Sequence, residues 1–340
     1  MMGARTIIAA LALLLGLASW PALAAASDPL PACTGKDLLA QLHQTDATAY
    51  DRIVTESHRY ANGEGLLWKI ESPGREPSYL FGTIHATDEE AIAFAQSMAK
   101  YIGQVHTVAT ELGEAMAPNL RWVIAAKAAL RIIGNKADTA SFVPSADDRE
   151  KLAAVLRTMQ MDPVSALHMP PWLLVSAFAV PPCEVERQRR DLVTVDQTIV
   201  NLGQERGAKI AALETIDEQL DALQTLDPAA AARQMVALAR KPGLAEDMYA
   251  TMLQLYHAQQ IAALFPVDEF VIDTSELDRE ADRVFNERIL GKRNHVMAER
   301  AKPLIDAGPV FIAVGALHLV GGDGLVELLR ASGYTLTRVQ

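Results

Sequence analysis

Cysteine, aromatic residues and basic charge are all scarce in this chain of 340 residues. It has two cysteines, 6% aromatic residues, and 31 Lys and Arg residues against 42 Asp and Glu residues, so its formal net charge is −11. No Cys-x-x-Cys pair or Cys/His cluster occurs, which argues against a zinc finger or a thioredoxin-like site. Because nucleic-acid binding requires clustered Lys and Arg, the acidic balance argues against nucleic acid as a partner.

Three common catalytic signatures are missing as well. Beyond the N-terminal segment the chain contains no Gly-x-Ser-x-Gly elbow, which removes the nucleophile signature of one large hydrolase class. Neither a Gly-x-Gly-x-x-Gly motif nor a phosphate-binding Walker A motif follows a predicted strand. The sequence therefore gives no sign of a dinucleotide or nucleotide site.

Long apolar runs are missing except at the N-terminus. Arg5 precedes an uncharged run over Ile7–Trp20, and residues 22–24 (Ala-Leu-Ala) place small side chains at alternate positions, as signal peptidase requires. The run is short for a span of about 30 Å of hydrocarbon. We predict a cleaved signal peptide over residues 1–24 and a single domain over residues 25–340, periplasmic or secreted, with no stable membrane span. The alternative is an uncleaved membrane anchor.

The two cysteines, Cys33 and Cys183, both lie in this exported part. An even number of cysteines in an oxidising compartment favours a disulfide, and we expect Cα atoms within about 7 Å of each other. Such a bond would tie the N-terminal segment to the middle of the chain. The alternative is a pair of buried free thiols.

The pattern of apolar residues predicts an α/β chain with a largely helical middle. Short apolar runs predict strands at residues 66–71, 79–81, 107–112, 209–215, 310–314 and 334–339, the first two forming a hairpin. Helical spacing predicts helices over about 88–101, 115–132, 146–159, 170–180, 189–206 and 216–262. A long amphipathic stretch begins at Asp278, where Pro303 is expected to kink or end the helix.

Four predicted strands end in side chains that carry chemistry. His85 and His318 each stand three residues after a glycine, so the order strand, Gly-x-x-His, helix, strand occurs twice. Glu111 and Glu214 stand at the ends of two other strands. Because ligand sites in open α/β sheets gather at the carboxyl ends of strands, we expect these residues to converge in one cleft. The glycines would let the backbone pass close to a ligand or a neighbouring strand.

Two imidazoles and two carboxylates suit a divalent metal ion such as Zn, Mn, Fe or Co. Such an ion would lower the pKa of bound water, and a free carboxylate would act as general base. The alternative interpretation is that both histidines are hydrogen-bonded core residues at strand ends.

The amphipathic stretch after Asp278 adds a second clue. Its apolar face carries Arg293 and Asn294 between Leu290 and Met297. A buried arginine needs a carboxylate, a bound anion or a substrate carbonyl, so we expect Arg293 to point into the same cleft. The alternative is a solvated position at the edge of the helix.

These motifs resemble those of the TraB/GumN family, which also includes the Tiki proteases. The resemblance covers about residues 65–340, with the motifs in the same order and at similar spacing. The matching segments are 67–70, 78–85, 111–112, 196–197, 213–215, 218–220, 287–288, 293–294, 297, 314–321, 324–325 and 333–334.

The resemblance implies a fold related to the erythromycin-esterase and ChaN-like group. That fold is α/β, with a central mixed β-sheet flanked by helices and two Gly-x-x-His halves that meet at one site. For Tiki-like members the resemblance implies a metal-dependent peptidase that uses Mn or Co rather than Zn.

The resemblance also implies roles for individual residues. The metal ligands would be His85, Glu111 and His318. Arg293 and Asn294 would bind substrate, and Glu111, Glu214 and Arg293 would be catalytic, although the role of Glu214 is less settled in the family. The predicted function is an exported metal-dependent hydrolase, a metallopeptidase acting on a peptide or protein. The alternatives are a haem- or iron-binding envelope protein of the ChaN-like type and a non-catalytic accessory protein of envelope polysaccharide pathways.

Overall fold

A computed structural model describes residues 29–113, 120–133, 138–271 and 280–339, apart from 282 and 285. The predicted signal peptide over residues 1–24 lies outside these ranges, as do the first residues of the helix predicted over 115–132 and the start of the stretch at Asp278. Across the described ranges, no helix combines the length and the apolar character that a membrane span requires.

All six predicted strands join one mixed sheet, and the α/β prediction is confirmed. The strands are β1 (Leu67–Glu71), β2 (Ser78–Thr83), β3 (Thr107–Thr110), β4 (Lys209–Ala212), β5 (Val310–Gly315) and β6 (Thr335–Arg338). Their order across the sheet is β4-β3-β5-β2-β1-β6. Strand β1 is antiparallel to β2, as the predicted hairpin requires, and to β6. Strands β4, β3, β5 and β2 are mutually parallel, so their carboxyl ends share one edge.

Helices flank this sheet and build the middle of the chain. Within the described residues the α-helices are α1 (Leu38–Thr45), α2 (Ala47–Ser57), α3 (Glu89–Ser97), α4 (Ala99–Ile102), α5 (Leu120–Ile132), α6 (Ala146–Thr158), α7 (Pro163–Leu167), α8 (Pro171–Phe178), α9 (Pro182–Arg189), α10 (Val195–Glu205), α11 (Ile216–Leu223), α12 (Pro228–Ala239), α13 (Leu244–His257), α14 (Leu264–Val271), α15 (Arg293–Ala307) and α16 (Leu325–Ala331). A π-helical segment, Glu287–Lys292, leads directly into α15.

Short polar residues and prolines explain where most of these helices begin. A side chain of Asp, Ser or Thr accepts a backbone hydrogen bond at the start of α1, α2, α3, α6, α7, α10, α11 and α12. At α11, Thr215 and Glu218 form a reciprocal capping box. Proline occupies the first turn of α7, α8, α9 and α12, where its missing N–H costs nothing.

The central strands carry apolar side chains on both faces of the sheet. Phe81 and Phe311 belong to a large core cluster that includes the helical middle, whereas Leu80 and Ile312 belong to a smaller cluster with α15 and α16. Since alternate residues of a strand point to opposite faces, the two clusters lie on opposite sides of the sheet. Burial on both faces is typical of parallel strands and fixes the position of their carboxyl ends.

One helix prediction differs from the structure, and one of the two outcomes expected at Pro303 does not occur. The helix predicted over 189–206 begins at Val195, because the Thr194 side chain accepts a hydrogen bond from the Gln197 amide and starts α10 there. Pro303 does not end α15, which continues to Ala307. The residues that flank the proline explain this, since Ala301 and Ile305 are buried in the smaller core cluster and hold the last turn in place.

Cys33 and Cys183 form the predicted disulfide, with their Cα atoms 5.4 Å apart. The bond attaches the segment before α1 to the first turn of α9. It therefore links the N-terminal segment to the helical middle, as the cysteine count suggested.

Candidate functional site

The carboxyl ends of the four parallel strands carry the four residues singled out by the sequence. His85 follows β2 by two residues, Glu111 follows β3 by one, Glu214 follows β4 by two and His318 follows β5 by three. Along the sheet edge the four strand ends therefore come in the order Glu214, Glu111, His318, His85. The structure thus brings together residues that are up to 233 positions apart in the chain (318 minus 85).

The two Gly-x-x-His segments approach each other closely. A Cβ atom on Gly82 would lie only 3.0 Å from both Cα and Cβ of Ala316, in the second segment. A side chain at position 82 would push the two segments apart, which explains the glycine. In the second segment the amide of Gly315 donates a 2.8 Å hydrogen bond to Glu111 Oε1, so the backbone of one strand end holds the side chain of the next.

Arg293 lies at the centre of a buried ion-pair cluster. Its Nε and Nη2 donate to Glu214 Oε1 and Oε2 at 2.9 and 2.6 Å, and Nη2 also donates to Glu111 Oε2 at 2.8 Å. Gln219, from α11, donates to both carboxylates. The Arg293 and Glu214 side chains are only 5% and 1% exposed. A single cation on α15 therefore holds the two strand-end carboxylates side by side.

The pKa values of the two carboxylates are shifted in opposite directions. Burial opposes the charged form of Glu111, but Arg293, His318 and His85 outweigh it and lower its pKa to about 2. For Glu214 burial dominates and raises the pKa, although Arg293 opposes the shift. Glu111 is thus a firmly anionic group whose Oε1 faces the second histidine segment.

His318 is buried, and its ring is held by an amide. Its Nδ1 lies 2.5 Å from Asn294 Oδ1, and its Nε2 lies 3.8 Å from Glu111 Oε1, beyond hydrogen-bond distance. Burial and the positive charge of Arg293 lower the pKa of His318 to about 3, so the ring is neutral at pH 7. A neutral ring nitrogen and an anionic oxygen therefore face each other across a short gap.

His85 is held by a carboxylate instead. Its Nδ1 donates to Asp196 Oδ2 at 2.6 Å, and Thr83 donates to Oδ1 of the same residue at 2.5 Å. Although burial works against the charged form, Asp196 raises the pKa of His85. Its side chain is 21% exposed, compared with 2% for His318, so His85 lies on the accessible side of the cluster.

Asp196 is a site residue to which the sequence had assigned no role. It lies in the first turn of α10, and the amide of its neighbour Val195 donates to the carbonyl of Ala86, next to His85. The one signal in the sequence was that residues 196–197 match a segment of the family. The contact between Asp196 and His85 depends on how α10 packs against the end of β2, which local sequence does not encode.

Glu184 is a second residue that the sequence did not single out. It is 0% exposed and accepts hydrogen bonds from the Thr87 amide and hydroxyl, from Gln188 and from Tyr249. It follows the bridged Cys183 directly, and Thr87 follows His85 by two residues. The disulfide and the His85 segment are therefore connected through one buried carboxylate.

The donors at the strand ends fit a divalent cation, although among the described residues no group of three or more His, Cys, Asp or Glu side chains forms a ready-made metal site. The gap of 3.8 Å between His318 Nε2 and Glu111 Oε1 can be spanned by two metal–ligand bonds of about 2.0–2.2 Å. Both atoms are electron-pair donors, and a buried anion facing a neutral nitrogen favours a cation between them.

The two helix residues predicted to bind substrate have internal partners. Besides the two carboxylates, Arg293 donates through Nη1 to the Ile289 carbonyl in the π-helical segment. Asn294 contacts His318 and the carbonyl of Asp323. Both side chains thus connect α15 to the strand ends.

Comparison with known families gives a match over most of the chain. The sequence model described as the TraB/PrgY/gumN family matches residues 66–338. This range begins at β1 and ends at β6, and it includes all four strand-end residues. Neither curated proteins nor solved structures yield a match to the chain.

Proposed function

The chain belongs to the TraB/PrgY/gumN family, and from this membership together with the geometry at the strand ends we propose that it is a metal-dependent hydrolase of peptide bonds. One observation carries the proposal. His85 and His318 each have Nδ1 engaged by a fixed partner, which leaves Nε2 of both rings for a ligand at one edge of the sheet. This arrangement is usual for histidines that bind metal ions.

We assign His85, Glu111 and His318 as the residues that would hold the ion, with Mn or Co as the expected metals. When bound, a divalent ion polarises a carbonyl group and makes water more acidic. Asp196 orients the ring of His85, and Arg293 keeps Glu111 ionised and in place. In this proposal Arg293 acts through Glu111 and Glu214 rather than by binding substrate.

Peptide or protein as substrate rests on the resemblance to the Tiki proteases. We also propose that the protein works in the periplasm or outside the cell, after removal of residues 1–24. The disulfide between Cys33 and Cys183 supports an oxidising compartment, since such bonds are rare in the cytosol.

Metal content and peptide cleavage test this function together. Protein purified without chelator is analysed for bound metal, then incubated with a mixed peptide library with and without added Mn²⁺. We expect His85→Ala and His318→Ala to lower cleavage by about 100-fold or more, the loss typical of a removed acid–base group or metal ligand. His295→Ala is the matched control, because His295 lies on α15 next to Asn294 with 62% of its side chain exposed. Unchanged cleavage by both strand-end variants would show that the site is misassigned.

A second candidate function is supported by the pairing of His85 with Asp196. A carboxylate on Nδ1 and a partly exposed ring are the features of a histidine general base. In that case hydrolysis would continue in excess EDTA, would be lost in His85→Ala and would survive in His318→Ala. The metal-dependent mechanism predicts instead that EDTA abolishes cleavage and that both variants are inactive.

A further inference from the structure

The orientation of the Asn294 amide determines where the proton of His318 must be. Asn294 Nδ2 lies 2.7 Å from the carbonyl oxygen of Asp323. A carbonyl oxygen can only accept a hydrogen bond, so the NH₂ group of the amide must face it. The amide oxygen Oδ1 is thereby left facing His318 Nδ1 at 2.5 Å.

The amide oxygen in turn determines which nitrogen of the His318 imidazole carries the proton. An amide oxygen carries only lone pairs, so Nδ1 of His318 must be the donor. A neutral imidazole has one N–H, and in this ring Nε2 is therefore the nitrogen with the lone pair. That lone pair faces Glu111 Oε1, 3.8 Å away.

We propose that Asn294 is a positioning residue that fixes His318 in its Nδ1–H tautomer and so turns the Nε2 lone pair towards Glu111. Only the expected effect on metal affinity rests on the proposed function. The assignment of the tautomer rests on the hydrogen bonds alone.

Charge and hydrogen bonding explain why this buried position carries an amide, whereas His85 has the carboxylate of Asp196. Asn294 and His318 are each 2% exposed, and Glu111 and Glu214 already place two carboxylates in the same interior. A third buried carboxylate would lack a counter-charge and would also face the Asp323 carbonyl oxygen. The neutral amide supplies the acceptor for Nδ1–H without either cost.

The tautomer can be measured on the metal-free protein by ¹⁵N NMR of the imidazole nitrogens at pH 8, with His318 assigned by comparison with His318→Gln. We expect a protonated Nδ1 and an unprotonated Nε2. A protonated Nε2 in the wild-type protein would overturn the proposal.

Variants at position 294 separate positioning from packing. Asn294→Leu removes the acceptor, so we expect the His318 proton to move to Nε2, the nitrogen that faces the Glu111 carboxylate. Asn294→Asp keeps an acceptor and should keep the Nδ1–H tautomer even if the protein is less stable. Met297→Ala is the matched control, because it truncates a fully buried side chain one turn further along α15 and should leave the tautomer unchanged. An Nδ1–H tautomer in Asn294→Leu would contradict the proposal.

Titration with Mn²⁺ followed by calorimetry adds a second readout. We expect Asn294→Leu to bind the ion about 10- to 100-fold more weakly, and Asn294→Asp to stay closer to the wild type. If the wild type binds no metal but shows the Nδ1–H tautomer, the proposed function fails and the role of Asn294 stands. If the wild type binds Mn²⁺ but has Nε2 protonated in the metal-free state, the proposed role of Asn294 fails and the proposed metal site stands.

Discussion

Replacing Arg293 by methionine would leave two buried carboxylates without their shared cation. Methionine has a similar length and fills much of the same space. The Glu214 side chain, 1% exposed, would lose its paired hydrogen bonds to the guanidinium, and Glu111 would lose one. A carboxylate in that interior cannot stay charged, so Glu214 would take up a proton on folding.

The cost of that proton sets the magnitude and its pH dependence. A carboxyl group with an ordinary pKa of about 4.3 is neutralised at a cost of about 3.7 kcal/mol at pH 7 and about 1 kcal/mol at pH 5. The value at pH 7 agrees with the roughly 3–5 kcal/mol expected when one partner of a buried ion pair is removed. Burial already raises the pKa of Glu214 in the wild type, although Arg293 opposes the shift, so these costs are upper limits for the variant. Removing Arg293 raises that pKa further, so the loss is small at low pH and grows as the pH rises.

Urea unfolding of metal-free protein at pH 5 and pH 7, followed by Trp fluorescence, tests this expectation. Arg300→Met is the matched control, because Arg300 lies on the same helix as Arg293 and pairs with Glu218 of α11. The Arg300 side chain is 41% exposed, so its loss should cost less than about 1 kcal/mol at either pH. The double variant Arg293→Met with Glu214→Gln should regain the pH-dependent part. The reasoning is refuted if Arg293→Met loses less than about 1 kcal/mol at pH 7, or loses the same amount at both pH values.

Three further predictions concern the bonds around the site. Replacing Cys33 and Cys183 together by serine should lower the free energy of unfolding by up to about 5 kcal/mol, because the bond closes a loop of 150 residues; calorimetry of the oxidised wild type and the variant measures this. Metal-free protein should lose about 3 kcal/mol of stability as the pH falls from about 4.5 to about 2, because the folded-state pKa of Glu111 is lowered. The Glu111→Gln variant should lack this part of the acid transition. An acid transition identical to that of the wild type would contradict the prediction. Glu184→Ala should cost about 1–3 kcal/mol for the unpaired donors alone, because it removes both oxygens that accept from the Thr87 amide and hydroxyl. Hydrogen exchange at the Thr87 amide should rise, and unchanged exchange would count against the link to the His85 segment.

The strands and their chemistry were predictable because each signal is local. An apolar run followed by Gly-x-x-His marks the ends of β2 and β5, and a carboxylate after an apolar run marks the ends of β3 and β4. The rule that parallel strands present their carboxyl ends at one edge then predicts the gathering of His85, Glu111, Glu214 and His318. The disulfide followed from the count of the cysteines and from the compartment predicted for them.

The partners of those residues were not predictable, because they come from helices whose packing is a tertiary property. Asp196 reaches His85 only because α10 packs against the end of β2, and Gln219 reaches two carboxylates from α11. Arg293 was expected at the site, but whether it would meet a substrate or a carboxylate depended on the position of Glu214. The persistence of α15 beyond Pro303 likewise depends on burial rather than on local propensity.

The position of β5 in the sheet has a consequence for how the protein is made. This strand is the last but one of the described strands, yet it lies between β3 and β2 and pairs with both. Until it is inserted, Glu111 and Glu214 belong to one half of the sheet and His85 to the other. Closure of the sheet and arrival of His318 are one event, so any activity of this site is withheld until β5 is in place.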